Sequence, residues 1–338
     1  MNWTECGKEN PNVKVSGLAI ASLLLSILGV FTFAITVIPA VILGMISLLR
    51  IEKSGGRLTG KGFATVGIAA AVVVFFVIGI SMPALARARE ISFRMVCARN
   101  LSVIGKAMLI YCNDYDDEMP RAGGRRSVWT KRVPSWTANN RFRAYGLQAN
   151  GGGGRASISS CFYLLVKYTE VPPKRFVCQG DTGVTDFTLA EYGVSGKPLI
   201  DLWDFGPNPT EHCSYAYHMP FGLYALTMSG EPGMAVAADR NPWIETPVAE
   251  ARDMSLFNPN GGIEAVKAGN AIAHREDGQN VLFLDCHVSF ERRPFCGINN
   301  DNIYTYRTGG DMRRGGIPIP GRSESQDRLD SLLVHDGQ

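Results

Sequence analysis

Between Lys61 and Arg87 the chain carries no charged residue, which leaves 25 uncharged positions in a row. At about 1.5 Å of rise per residue, roughly 20 apolar residues cross the hydrocarbon core of a bilayer, so this stretch can span one. Beyond it Ile91, Met95, Ala98, Leu101, Ile104 and Leu109 keep a mostly helical apolar spacing, with Arg87, Arg89, Arg94 and Arg99 interleaved. The simplest object over residues 63–120 is one long helix, half in lipid and half standing out of it. It ends in an acidic turn, Asp114, Asp116, Asp117 and Glu118, before Pro120. The chain before this helix reads as membrane, and the chain after it reads as a soluble domain that it carries.

Residues 1–14 are polar and lack both the basic start and the small-residue cleavage site of a secretory signal, so removal by an ordinary signal peptidase is not expected. Residues 15–49 hold 35 uncharged positions. As one helix they would measure about 52 Å, against a hydrocarbon core of about 30 Å. A hairpin of two short helices turning near residues 36–39 fits better, because Pro39 is tolerated at a helix start and not inside one. Gly17, Ala19, Ala21, Ser22, Ser26 and Gly29 are small enough to let such helices approach closely.

The loop over residues 50–61 sets Arg50, Lys53, Arg57 and Lys61 against Glu52 alone, which keeps it cytoplasmic by the positive-inside rule. Three crossings then place the soluble domain outside. The arginines after the third crossing pull the other way by the same rule. The whole chain carries a formal net charge of +3, so its orientation rests on where the charges lie.

Three runs carry a resemblance. Met82-Pro-Ala-Leu-Ala-Arg-Ala-Arg-Glu, Cys97-Ala-Arg-Asn-Leu-Ser-Val-Ile-Gly-Lys-Ala and Tyr111-Cys-Asn-Asp-Tyr-Asp-Asp-Glu-Met-Pro resemble the N-terminal half of bacterial type II secretion pseudopilin-like proteins. A second block, Ala273-His-Arg-Glu-Asp-Gly-Gln-Asn-Val-Leu-Phe-Leu-Asp-Cys-His-Val, is similar to their C-terminal signature, with His274, Gly278, Asn280, Asp285 and His287 at the matching positions. Cys286 stands where the family has glycine, which predicts that residues 285–286 avoid a positive-φ turn. Leader-peptidase cleavage in this class falls between residues matching Gly62 and Phe63. Here Gly67 replaces the glutamate that lies beyond the cut, and two membrane helices precede it. Residues 15–61, with their Gly-x-Ala-Ile-Ala-Ser-Leu opening and Ser-Gly-Gly-Arg-Leu-Thr-Gly loop, also resemble a small bacterial multi-helix membrane domain that implies embedding and no chemistry.

Arg121, Arg125, Arg126, Lys131, Arg132, Arg141 and Arg143 are interleaved with Trp129, Trp136, Phe142 and Tyr145, and no acid lies between Glu118 and Glu170. Such a stretch can hold an anionic polymer or lipid headgroups by charge and stacking. The plainer reading is a solvated loop that ends at the glycines of residues 151–154. Asp114, Asp116, Asp117 and Glu118 offer hard oxygen ligands suited to calcium, but their spacing is not that of an EF-hand, and a solvated turn is simpler. Otherwise no cofactor is expected.

His274, Asp285 and His287 suit zinc by ligand type, with Asp285 and His287 on one face of a strand over residues 281–290. The alternative is a hydrogen-bonded hairpin in which Asp285 caps the turn and His274 ties two strands. No phosphate-binding loop, serine-nucleophile elbow or zinc-protease helix occurs in the chain. Of the eight cysteines, Cys97 and Cys112 are excluded as partners: on one helix they lie about 22 Å apart, and a disulfide needs Cα atoms within about 7 Å. Cys161 with Cys178, and Cys286 with Cys296, are the expected local pairs.

Residues 159–168 read as a short helix stopped by Pro172 and Pro173, residues 214–217 as a strand, and residues 307–338 as a disordered tail. The expected fold class is α+β: N-terminal transmembrane helices, the third extended as a long pilin-like helix packed on a mainly antiparallel β-sheet domain over residues 121–306. The expected function is a non-catalytic, membrane-anchored structural or assembly element of a type II secretion or pilus-type system in the bacterial inner membrane. Its partners would be the bilayer, secretion or pilus assembly proteins and further copies of itself, with no nucleic acid. The rivals are an extracytoplasmic module binding anions through residues 121–145, and a metal-dependent enzyme using His274, Asp285 and His287.

Overall fold

A computed structural model of the protein describes residues 14–29, 32, 35–55, 57–124, 126–194 and 196–337. The chain forms two units, Met1–Arg89 and Glu90–Gln338.

In the first unit, strand β1 (Lys14–Val15) leads into helix α1 (Gly17–Leu28), then α2 (Val37–Lys53) and strand β2 (Leu58–Thr59), which pairs parallel with β1. Helix α3 (Lys61–Asp114, 54 residues) contributes its first part to this unit. The hairpin turns earlier than residues 36–39. Thr36 is the N-cap of α2, and Pro39 sits in its first turn, where a missing N–H removes no helical bond. Arg50 and Lys53 close α2, where cations favour the helix C-terminus.

Small residues let the helices touch. Ala19, Ala40, Ala64 and Ala71 are fully buried. Ser22 Oγ donates to the Ala40 carbonyl at 2.8 Å, and the Ser16 and Ser47 hydroxyls pair at 3.0 Å. A Cβ on Gly44 would stand 2.6 Å from Ile68 Cγ1, and one on Gly67 would stand 2.7 Å from Ser22 Oγ. Gly67 is therefore a contact point between α3 and α1. Outward, Leu24, Ile38, Val73, Phe76 and Ile80 stay more than half exposed. Among the described residues α3 is the one helix long and apolar enough to cross a membrane.

The second unit is α+β. Its five-stranded antiparallel sheet comprises β5 (Tyr215–His218), β6 (Ala235–Asp239), β7 (Gln279–Phe283), β8 (Val288–Glu291) and β9 (Leu333–Val334), in the order β8-β7-β6-β5-β9. Before the sheet come β3 (Val128–Trp129) paired parallel with β4 (Arg155–Ala156), and helices α4 (Arg141–Tyr145) and α5 (Ile158–Thr169); α6 (Ile263–Lys267) precedes β7.

The period of two along a strand sends alternate residues to two different cores. Tyr215, Tyr217 and Leu282 join Cys97, Leu101, Ile104 and Met108 of α3 and Phe162 of α5. Ala216, Val281 and Phe283 join Trp243, Phe257, Ile303 and Tyr304 on the other face. Gly105 lets α3 approach the sheet: a Cβ there would lie 2.7 Å from Leu282 Cδ1. The apolar spacing of residues 97–108 is thus the buried face of a helix lying on a sheet.

The chain end departs from the expected disordered tail. Leu333 and Val334 form β9 beside β5 and are fully buried. Asp336 accepts hydrogen bonds from the amides of Ile158 and Ser159, both at 2.8 Å, and from Trp129 Nε1 at 3.1 Å. Its carboxylate therefore caps α5 beside the N-cap Ser157, so Gly, Pro and mixed charge here mark a tethered strap rather than a free end.

Residues 121–145 also depart from a solvated loop. Trp129 and Tyr145 are core residues, and Trp136 packs against Phe187 and Tyr192. These three aromatics stabilise the interior, and of the four in the stretch Phe142 alone is exposed.

Candidate functional site

The chemistry-bearing residues of the second unit converge where α3 meets the start of β7. His274 lies in a short turn in which three consecutive non-glycine residues, His274, Arg275 and Glu276, take left-handed φ of 58°, 57° and 63°. Each costs about 1–2 kcal/mol in an L-residue, so the surroundings must hold them. Arg94 of α3 does much of this. Its guanidinium donates to Asp277 Oδ2 at 2.7 Å and to the His274 carbonyl at 3.4 Å, and lies 4.4 Å above the Phe290 ring. Lys267 adds an ion pair to Asp277 at 3.0 Å, and Arg252 one to Glu276 at 2.7 Å.

This turn drives the imidazole inward, where it is almost completely buried. Nδ1 faces Glu90 Oε1 at 3.0 Å. Nε2 faces Asp239 Oδ2 at 3.5 Å, Asn280 Nδ2 at 3.3 Å and Cys178 Sγ at 3.5 Å. Burial opposes a charge on His274, but the Asp239 and Glu90 carboxylates outweigh it and raise the imidazole pKa above its ordinary value. Asp239 ends β6 with no exposed surface. Its Oδ2 accepts from the Asn280 amide at 2.7 Å, while Oδ1 has no hydrogen-bond partner.

Cys178 is bonded to Cys97 of α3 as a disulfide, 81 residues apart in sequence. This replaces both expected pairings. Cys161, Cys286 and Cys296 are free, as are Cys112 and Cys213. Cys161 sits inside α5 with its sulfur accepting from the Ala122 amide, and burial pushes its thiol well up. The half-buried thiol of Cys286 faces the Gly105 carbonyl.

Among the described residues, one group of three or more His, Cys, Asp or Glu ligand atoms gathers within 4.8 Å: Cys97, Cys178, Asp239 and His274. Asp114, Asp116 and Asp117 form no such group and stand exposed on the turn that ends α3, with left-handed φ at Asp116 and Asp117. Glu118 pairs with Arg121 at 3.1 Å.

The C-terminal signature divides in two. His274 and Asn280 meet in the buried cluster. Gly278 immediately precedes β7 at φ 153°, where a Cβ would stand 2.3 Å from the Glu291 carbonyl oxygen, so glycine is required there. Asp285 and His287 belong instead to the turn over residues 284–287. They are not on one strand face: residues 281–290 fold into two strands. Asp285 accepts from the His287 amide at 3.1 Å and from its ring, which stacks on Phe283. Cys286 takes φ 68° in this turn, contrary to the expectation from its replacing glycine.

The basic stretch is also broken up. Arg121 is tied to Glu118, Arg141 donates to the Gly123 carbonyl, and Lys131 lies 3.9 Å from Glu245. Arg126, Arg132 and Arg143 are exposed, and Arg125 lies outside the described residues. A cleft of about 640 Å³ has Arg121, Arg126 and Arg322 on its walls, but also Glu118 and Glu324, so it presents both signs of charge. Gly62 has open space around its Cα, and Phe63 is half exposed.

Sequence reasoning missed Glu90, Asp239 and the Cys97–Cys178 pairing. Glu90 left one signal: it is the sole acid between Glu52 and Asp114, in a run otherwise rich in arginine. No curated protein and no solved structure matches the chain. A family model for a domain of unknown function, DUF4190, matches residues 18–81, a span that coincides closely with α1, α2 and the apolar start of α3.

Proposed function

We propose that the protein is a fixed, pseudopilin-like structural element of the bacterial inner membrane. Three helices anchor it, and the sheet unit stands on the extracytoplasmic side. The observation that carries this reading is the packing at Gly67. In the pseudopilin resemblance a glutamate at this position guides assembly after cleavage; here the position is closed by Ser22 of α1. A helix docked on its own N-terminal hairpin through Ala64, Gly67 and Ala71 favours a permanent anchor over release and polymerisation. The apolar side chains exposed around α1, α2 and the first part of α3 suit lipid, since a helix apolar on all sides needs an apolar surround.

Sidedness is supported by the basic residues 50–61 and by the Cys97–Cys178 disulfide, a bond that persists in oxidising compartments. Catalysis has no role in this reading. The test is protease digestion of intact spheroplasts. Loss of the sheet unit with retention of a membrane-protected N-terminal fragment is expected, and full protection of the sheet unit until lysis contradicts the orientation.

A further inference from the structure

Four elements deliver one ligand atom each to a single buried point: α3 gives Cys97, the segment after the Pro173–Phe176 turn gives Cys178, β6 gives Asp239, and the left-handed turn gives His274. We infer that this point is a site for a tetrahedral divalent cation of the zinc class, closed while Cys97 and Cys178 are joined and opened when that disulfide is reduced. The inference does not depend on the membrane reading.

Three observations carry it. The first is ligand type and spacing. Two sulfurs, one imidazole nitrogen and one carboxylate oxygen lie within 4.8 Å of one another. Zinc–sulfur bonds of about 2.3 Å at a tetrahedral angle place two sulfurs about 3.8 Å apart, so parting the disulfide brings the set to ligating distances.

The second is what stands behind the histidine. Ligating imidazoles donate their other ring N–H to a carboxylate or carbonyl, which fixes the tautomer. Glu90 Oε1 stands 3.0 Å from Nδ1 and takes that role, leaving the Nε2 lone pair turned toward Asp239 Oδ2 and Cys178 Sγ. Gly180 keeps the ring where it is: a Cβ there would stand 2.8 Å from Nδ1.

The third is an unfilled demand. Asp239 is completely buried, and its Oδ1 has no partner. Asp239 Oδ2, Cys178 Sγ and Asn280 Nδ2 all stand within 3.5 Å of Nε2. A small crevice bordered by Gly180, Asp181, Arg240, Ile272 and Ala273 adjoins the histidine turn.

The exchange balances. A dithiol reductant gives two electrons and two protons to the Cys97–Cys178 bond, and itself becomes a disulfide. The two protein thiols then release two protons to solvent as the cation binds. A disulfide-class oxidant takes two electrons from the thiolates and two protons from solvent, becomes a dithiol, and the remade Cys97–Cys178 bond expels the ion.

The test uses the full-length protein in detergent micelles. It is reduced with dithiothreitol without oxygen, freed of reductant, and titrated with Co2+ and then Zn2+. One equivalent of Co2+ should give tetrahedral ligand-field and thiolate charge-transfer bands, which Zn2+ abolishes. Zn2+ should also protect Cys97 and Cys178 from alkylation, as read by peptide mass, while Cys112, Cys161, Cys213, Cys286 and Cys296 keep their rates. Protein with the disulfide intact should give no bands. Glu90→Gln should weaken affinity by about 10- to 100-fold, the range for losing the group behind a ligating histidine. His274→Gln and Asp239→Asn should lose the bands. The protection map needs no variant, so misfolding of a mutant leaves the test intact. Absence of stoichiometric binding by the reduced wild-type chain, or protection of other cysteines, overturns the inference.

Discussion

Glu90 Oε1 lies 3.0 Å from His274 Nδ1, so residues 184 positions apart join the long helix to the turn that leads into β7. Asp239 holds the other side of the same ring; it is fully buried, and the Glu90 side chain is 13% exposed. Removing the imidazole takes away the group between two carboxylates and leaves Asp239 with the Asn280 amide and Glu90 with Arg94 and Arg275. His274→Ala should therefore lower stability by about 3 kcal/mol or more, the usual cost of breaking a buried pair from one side. Glu90→Gln keeps a hydrogen-bond acceptor and should cost about 1 kcal/mol. Thermal unfolding of both variants in micelles checks the order, and equal losses would contradict it.

The Cys97–Cys178 bond closes a loop of 81 residues that contains α4, α5 and much of the first core. Loop-closure entropy puts its contribution at about 4–5 kcal/mol. Cys97→Ser with Cys178→Ser should lower the unfolding midpoint strongly, and added reductant should then have no further effect. A variant that unfolds like the oxidised wild type would show that the bond is dispensable.

Asp204 and Asp336 meet at the start of α5, and the sign of their pH effect is fixed. Burial first, then the neighbouring Asp336, lift the Asp204 carboxyl to about 8; burial lifts Asp336 to about 6. Between pH 4 and 8 the folded chain therefore holds protons that the unfolded chain has released. Stability should be highest near pH 4 as far as this pair is concerned and fall as pH rises, by at most about 1.4 kcal/mol per pH unit for each proton. Asp204→Asn should flatten that fall and stabilise the protein at pH 8. Denaturant midpoints measured from pH 4 to 8 decide it, and a slope of opposite sign in the wild type with no change in the variant would refute the assignment.

Gly67 should not tolerate a side chain. A Cβ would press on Ser22 Oγ at 2.7 Å and on the Leu23 amide nitrogen at 3.0 Å. Gly67→Ala should cost about 1–3 kcal/mol of helix docking by overpacking, and Gly67→Glu should undock the hairpin. Protease sensitivity of residues 54–60 in membrane vesicles reports this, with Gly62→Ala, at an open position, as the control.

The parts of the fold legible in sequence were those written as periodicity. The uncharged run before Arg87 and the helical spacing of Leu101 and Ile104 marked α3, and the strand expected over residues 281–290 overlaps both β7 and β8. The α5 helix and β5 appeared within a residue or two of their bounds. The hidden parts depended on pairing across long separations. Cys97 and Cys178 stand on different elements, so local spacing favoured the wrong partners. Asp336 caps α5 from 178 positions away, so a tail poor in apolar periodicity looked free although Leu333 and Val334 complete the sheet. Trp129 and Trp136 lay among arginines and read as surface, but an aromatic ring does not announce which way it points. The histidine of the C-terminal signature was visible, yet its carboxylates came from elsewhere: Glu90 from a helix read for its apolar face, Asp239 from a strand that the sequence did not mark.

A fixed anchor of the kind proposed keeps its three helices attached to the unit that they carry. The measurement that tests it most directly is the intact mass of the protein extracted from its native membrane. A permanent anchor gives the mass of the whole chain, 36.8 kDa. A mature species beginning at Phe63 would contradict it, because the hairpin packed against Ala64, Gly67 and Ala71 would then be gone.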